Sequence, residues 1–334
     1  MTRTTMRDVA AHAGVSYQTV SNVLNDHPSI RPATRDRVLA AIQVLNYHPN
    51  QAAKALRQSR STTLCCAFFG HNVEDIHDPY RNLIQSAFVA EANAHGYSMT
   101  TAFLNQDQPD TLDRFRQRYL QGLFGGAVLV GTTLPASQLH DVQACGVQTV
   151  LFDHLVPGSA TATIHADYER GMADMVAHHV AQGRTRLALL IPNGDPGSSA
   201  QARLRGFQQT AAELGVQAEV VSSSWSYASG EAAMHALWSS GARPDAVLAA
   251  SDRLAAGALR AAHDLGLRVP TDVAISGFDD FEFSQYTHPR LTTLHVPHGE
   301  MARQAVRHLV ALVEQKEVPT SDAFPVSLVV RESA

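Results

Sequence analysis

Over residues 5–45 the apolar side chains recur at spacings of three and four, the period of a helix, and they fall into three short runs. Val9, Ala10 and Ala13 form one stripe and Val20, Val23 and Leu24 a second; Val38, Leu39, Ile42 and Leu45 form a third, with Pro32 where that helix begins. The boundaries agree with this division. Thr5 can cap the first helix with Asp8 three residues on, Gly14 suits the left-handed position that ends it, and Ser16 can cap the second. Two short helices joined by a tight turn leave Tyr17, Gln18, Ser21 and Asn22 facing outward on the second, the arrangement in which a helix meets base edges in a major groove. Three helices suffice for a small core.

Past the polar stretch Arg57-Gln58-Ser59-Arg60-Ser61 the pattern becomes alternating strand and helix. Strands are predicted over 63–69, 97–104, 127–130 and 147–152, with helices over 80–94 and 109–121 between them. A second series begins near Thr161, with helices over 168–182, 200–214, 228–239 and 255–265 and strands over 187–191, 220–222, 246–249 and 273–277. A late helix over 300–314 and a strand over 323–330 follow. The fold class is therefore a small all-α helix-turn-helix headpiece followed by an α/β core of two parallel-sheet subdomains, with ligand binding expected at the carboxyl ends of the strands.

The first segment resembles a known family. Asp8-Val9-Ala10, Ala13-Gly14-Val15-Ser16, Thr19-Val20-Ser21, Val23-Leu24-Asn25, Thr34-Arg35 and Leu45-Asn46-Tyr47-His48-Pro49-Asn50 are similar, densely and without gaps, to the headpiece of the lactose-repressor (LacI/GalR) family of bacterial transcription regulators. The resemblance implies DNA contacts from Thr5, Ser16, Tyr17, Gln18, Thr19, Ser21, Asn22 and Asn25. It also implies a hinge helix over 50–56, with Asn50, Ala53 and Lys54 at the DNA and Leu56 as a minor-groove wedge. Lys54 and Asn22 stand where relatives often carry arginine, which alters what each can contact. The expected organisation is a headpiece over 1–49, a hinge and linker over 50–62, and a periplasmic-binding-protein-like core over 63–334. Within the core the expected subdomains are 63–160 plus 294–320 and 161–293 plus 321–331.

The body resembles the family more loosely. Arg203, in Ala202-Arg203-Leu204-Arg205-Gly206-Phe207, and Asp279, in Ser276-Gly277-Phe278-Asp279-Asp280, stand at effector-binding places. Ser251 replaces a usual asparagine, and Asp78-Pro79-Tyr80, Asp153 and Trp225 complete the set, with Tyr80 counted among the effector-binding residues. Carboxylates and arginine supply paired acceptors and donors for vicinal hydroxyls, and an indole face covers a sugar's C–H surface. A carbohydrate effector is expected; a purine, since Trp225 would stack on a nucleobase as well, or another metabolite is the alternative, and a sugar-binding receptor without DNA function is the remoter one.

Charge and composition narrow the remaining classes. Residues 1–60 carry Arg3, Arg7, Arg31, Arg35, Arg37, Lys54, Arg57 and Arg60 against Asp8, Asp26 and Asp36, while the whole chain has a net charge of −5, so a basic head sits on an acidic body. The amino terminus has no apolar stretch and no run of about 18 apolar residues occurs, which leads to an expected cytoplasmic location with no membrane partner. Cys65, Cys66 and Cys145 are expected to be reduced core thiols. Asn193-Gly194-Asp195-Pro196-Gly197-Ser198 lacks the lysine and spacing of a phosphate loop, and there is no GxSxG element, so an enzyme is not expected. A metal site through His71, His77 and Asp78, or through His178-His179, has no ligand spacing behind it, and neither metal nor cofactor is expected. The expected partners are double-stranded operator DNA, a small-molecule effector and a second copy of the chain. A dimer rather than a tetramer is expected, because Arg331-Glu332-Ser333-Ala334 brings no leucine heptads.

Overall fold

A computed structural model describes residues 4–24, 27–47, 61–70, 76–104, 110–131, 136–156, 158–192 and 197–334. The chain forms two units, with the division between Ser61 and Thr62. The hinge expected over 50–56, and Asn25, Asn50, Ala53, Lys54 and Leu56 with it, lies outside the described residues.

The first unit contains α1 (Met6–Ala13), α2 (Tyr17–Leu24) and α3 (Pro32–Val44). Its core is Met6, Val9, Ala10, Ala13, Val20, Val23, Val38, Ala41 and Tyr47. Leu39, expected in that core, is 45% exposed. Ala41 takes its place, because a residue three past Val38 returns to the buried side of a helix and a residue one past it does not.

In the second unit β1 (Thr63–Phe69), β2 (Ser98–Leu104), β3 (Gly126–Gly131), β4 (Gln148–Phe152), β5 (Thr163–Ala166) and β11 (Ser321–Phe324) form one parallel sheet in the order β11-β5-β4-β3-β1-β2. Strand β1 shows why an unbroken apolar run is needed. Leu64, Cys66 and Phe68 enter one buried cluster with Ile84 and Phe88 of α4 (Pro79–Ala94) and Leu309 of α11 (His298–Val313). Cys65, Ala67 and Phe69 enter another with Phe115 of α5 (Asp110–Leu120) and Leu139 of α6 (Ala136–Gln143). Side chains alternate across a strand, so a sheet covered on both faces buries every position.

The second sheet has the order β7-β6-β8-β9, from β6 (Arg186–Ile191), β7 (Gln217–Ser222), β8 (Ala246–Ala249) and β9 (Ala274–Ser276), all parallel. Helices α7 (Tyr168–Ala181), α8 (Ser198–Glu213), α9 (Tyr227–Ser239) and α10 (Asp252–Asp264) accompany it. An antiparallel pair, β10 (Thr293–His295) with β12 (Ser327–Val329), continues it through bridges from Ser276 to Thr292 and from Asp279 to His295.

Three subdomain boundaries differ from expectation: Leu294 and His295, expected in the first subdomain, lie in β10 beside the second sheet. Strands β5 and β11 were expected in the second subdomain, yet they pair with each other in the first sheet. The single strand expected over 323–330 is two, interrupted at Pro325-Val326, where the chain leaves one sheet for the other. The backbone thus passes between the subdomains at 166–168, 296–298 and 324–327. Helix α6 was not anticipated. Cys65 and Cys66 are buried and unpaired by disulfide, with burial holding the Cys66 thiol up at about 11, whereas Cys145 is only half-buried and accepts a hydrogen bond from Arg116 Nε at 3.1 Å. No helix among the described residues is long and apolar enough to cross a membrane.

Candidate functional site

Two constellations concentrate the chemistry. In the first unit a full capping box starts α1: the Thr5 hydroxyl accepts from Asp8 N at 3.4 Å, and Thr5 N donates to Asp8 Oδ2 at 2.8 Å. Gly14, at φ +63°, ends the helix and lets Val15 N reach Ala10 O at 3.0 Å. Ser16 Oγ then accepts from Thr19 N at 3.1 Å and starts α2. Tyr17 and Gln18 are exposed on its first turn, and Gln18 Nε2 donates to Asn22 Oδ1 at 3.0 Å, joining two polar side chains one turn apart. Thr19 is half-buried. Ser21, expected to face outward, is 7% exposed, because it lies on the flank of the helix next to Leu24, where a small side chain fits against the core.

In the second unit, one cavity of about 400 Å³ is lined by Tyr80, Asp153, Arg203, Trp225, Ser251 and Asp279, the six residues expected at the effector. Arg203, from α8, is buried; its Nη2 donates to Asp279 Oδ1 at 3.2 Å, and its guanidinium lies 4.1 Å from the Tyr168 ring centre and 4.3 Å from that of Phe278. Arg203 Nε is buried without a hydrogen-bond partner. Asp153 accepts hydrogen bonds from both Tyr80 and Tyr168 hydroxyls, the former at 3.0 Å. Burial and the Asp153 charge hold both phenols protonated, well above the usual tyrosine range. His298 completes a ring: its Nε2 is 3.4 Å from Asp279 Oδ1, and its imidazole meets the Tyr80 ring edge-on at 5.0 Å between centres.

Backbone geometry aims these groups. Asp153 and Asp279 have φ of +60° and +108°, tolerable for a short polar residue held from both sides. Asp279 N donates to Leu294 O at 2.8 Å. The fully buried Asp252 fastens the same loop, accepting from Phe281 N at 2.8 Å and from the Thr293 hydroxyl. Desolvation, then the nearby Asp279 charge, raises the Asp252 carboxyl well above the carboxylate range. Gly277 is required here: a Cβ would lie 2.2 Å from Asp252 Oδ1. The neighbouring Asp280 is spent differently, pairing with Arg331 and with His295 Nδ1 at 3.1 Å. Ser251 lines the cavity while its hydroxyl caps α10 through Leu254 N at 3.3 Å. The sequence reading missed Tyr168, Arg253, Phe281 and His298. Arg253 stood beside the Ser251-Asp252 pair; the others carried no spacing signal.

Comparison with known proteins decides what this pairing of units is. Residues 5–50 match the family described as bacterial regulatory proteins, lacI family, and residues 176–334 match the periplasmic binding protein-like domain. The transcriptional regulator GalR of Escherichia coli K12 is 32% identical over 98% of this chain and 95% of its own length. The chain belongs to the lacI family. The crystal structure of the lac repressor dimer bound to operator and the anti-inducer ONPF superimposes with a TM-score of 0.88 at 29% identity, covering 99% of both chains. The complex of the regulator CelR with cellobiose gives 0.74 at 27% identity, covering 99% of this chain and all of the other. This lacI-family protein is therefore a DNA-binding transcription regulator under small-molecule control, and not an enzyme. Its outward α2 face and its cavity are the two places where those tasks have chemistry available.

Proposed function

We propose that this lacI-family protein is a cytoplasmic homodimer that represses carbohydrate-utilisation genes and whose effector is a carbohydrate held in the cavity between the subdomains. One observation carries the effector class: Arg203, Asp279 and Asp153 present charged donors and acceptors around one cavity beside the Trp225 ring. Vicinal hydroxyls need such paired groups, and a pyranose offers a C–H face to an indole. Tyr80 and Ser251 add hydroxyls to the lining, and the lac repressor and CelR structures, with ONPF and cellobiose, support the same reading.

On DNA, Tyr17, Gln18 and Asn22 read bases, while Thr5, Ser16, Thr19 and Asn25 set the register through the backbone. Ser21 serves the core in this account. Asn50, Ala53, Lys54 and Leu56 act in the segment joining the units, with Leu56 as the wedge. Two headpieces then meet two half-sites of a roughly palindromic operator. The deciding experiment is thermal unfolding of the full chain against neutral sugars, sugar phosphates and purines, since a ligand that binds only the folded state raises the melting temperature. At least one sugar is expected to raise it; stabilisation by purines alone overturns the carbohydrate reading.

A further inference from the structure

Among the described residues, the charged groups lining the cavity are unequal in number. Asp78, Asp153 and Asp279 face Arg203 and Arg253. Each guanidinium has a carboxylate assigned to it: Arg203 Nη2 lies 3.2 Å from Asp279, and Arg253 Nη1 lies 3.8 Å from Asp78. The two pairs differ in construction. Arg203 and Asp279 both come from the second subdomain, whereas Asp78 caps α4 of the first and Arg253 lies on α10 of the second. Among the described residues no cation pairs with Asp153, which is held by two neutral tyrosine hydroxyls.

We propose that this cavity selects uncharged polyhydroxylated ligands against phosphorylated or carboxylated ones, and that Asp78 sets the selection by neutralising Arg253; the inference rests on the carbohydrate reading above. Among the described residues, a phosphate or carboxylate entering here meets no lining guanidinium without a carboxylate beside it and adds a further negative charge to an excess of one. It must either displace Asp78 from Arg253 or remain without a counter-ion, and both are costly beside groups as buried as Arg203, Asp279 and Asp153. A neutral hydroxyl meets no such penalty. It donates to a carboxylate and accepts from the guanidinium beside it, so the same pairs that repel an anion serve a sugar. The long 3.8 Å spacing of Arg253 to Asp78, across the two subdomains, leaves room for a hydroxyl to join both.

The test compares neutral mono- and disaccharides with the 6-phosphates and uronic acids of the same sugars, by titration calorimetry on the full chain, for wild type, Asp78→Asn and Arg253→Met. Asparagine caps a helix nearly as well as aspartate, and the unliganded melting temperature verifies folding. In wild type a neutral sugar is expected to bind at least about tenfold more tightly than its charged derivative. Asp78→Asn should close that gap by about tenfold, and Arg253→Met should widen it. Tighter binding of the charged derivative by wild type overturns the selection while leaving the carbohydrate reading intact. A gap unchanged in Asp78→Asn overturns the role of Asp78. If no sugar of either kind binds, the carbohydrate reading fails and this inference fails with it.

Discussion

The α2 face and the cavity treat polar side chains in opposite ways. On α2, Tyr17 and Gln18 are exposed, and Gln18 is engaged by Asn22 one turn away on the same helix. In the cavity Arg203, Asp279 and Asp153 are nearly as buried as the core, and their partners come from residues 76, 15 and 73 positions distant. A base edge is reached in water by a side chain whose position the helix alone sets. A small ligand is reached by buried side chains, where a charge persists only if other charges and hydrogen bonds already hold it. The first surface can change residue by residue with little effect on folding. The second is part of the fold.

The largest test of this contrast is Arg203→Met, which leaves Asp279 buried beside His298 without its guanidinium. Denaturant unfolding of the core is expected to lose about 3–5 kcal/mol, and the response to the stabilising ligand should disappear. Adding Asp279→Asn should restore part of the stability but none of the ligand response. If the single variant is as stable as wild type, the buried pair does not belong to the fold in the sense argued. Gln18→Ala asks the opposite of the headpiece. Preference at one half-site position should relax by about 1–3 kcal/mol in a binding-site selection, with the core transition unmoved; an unchanged preference removes Gln18 from base reading. The smallest effect is expected from Thr5→Ala, which deletes half of the capping box. Amide exchange over residues 6–13 of the full chain should speed up as the helix loses about 1 kcal/mol, and protection equal to wild type would show that the cap is dispensable.

The same contrast governs how much was legible in the sequence. Every feature of the headpiece start is local: Thr5 with Asp8, Gly14, and Ser16 with Thr19 lie within one turn of each other. Its errors, Leu39 and Ser21, are each one position out of helical phase, where a stripe read as a pattern has no sharp edge. In the core, a run such as 63–69 declares a strand but not its neighbour, and nothing in 163–166 announces pairing with 321–324. The six cavity residues were reached through likeness to a family, since six positions scattered from 80 to 279 share no period. Tyr168 and His298 close the ring around them from the first positions of α7 and α11 and would pass in the sequence as ordinary helix starts.

The three chain crossings at 166–168, 296–298 and 324–327 have a mechanical meaning. One tether would let the subdomains swivel and slide; three spaced links leave bending as the easy motion and oppose torsion. A joint of this kind has a single coordinate. Whatever fills the cavity, its shape and chemistry are compressed into one angle, so the rest of the protein learns how far the jaws have closed and nothing else about the molecule between them.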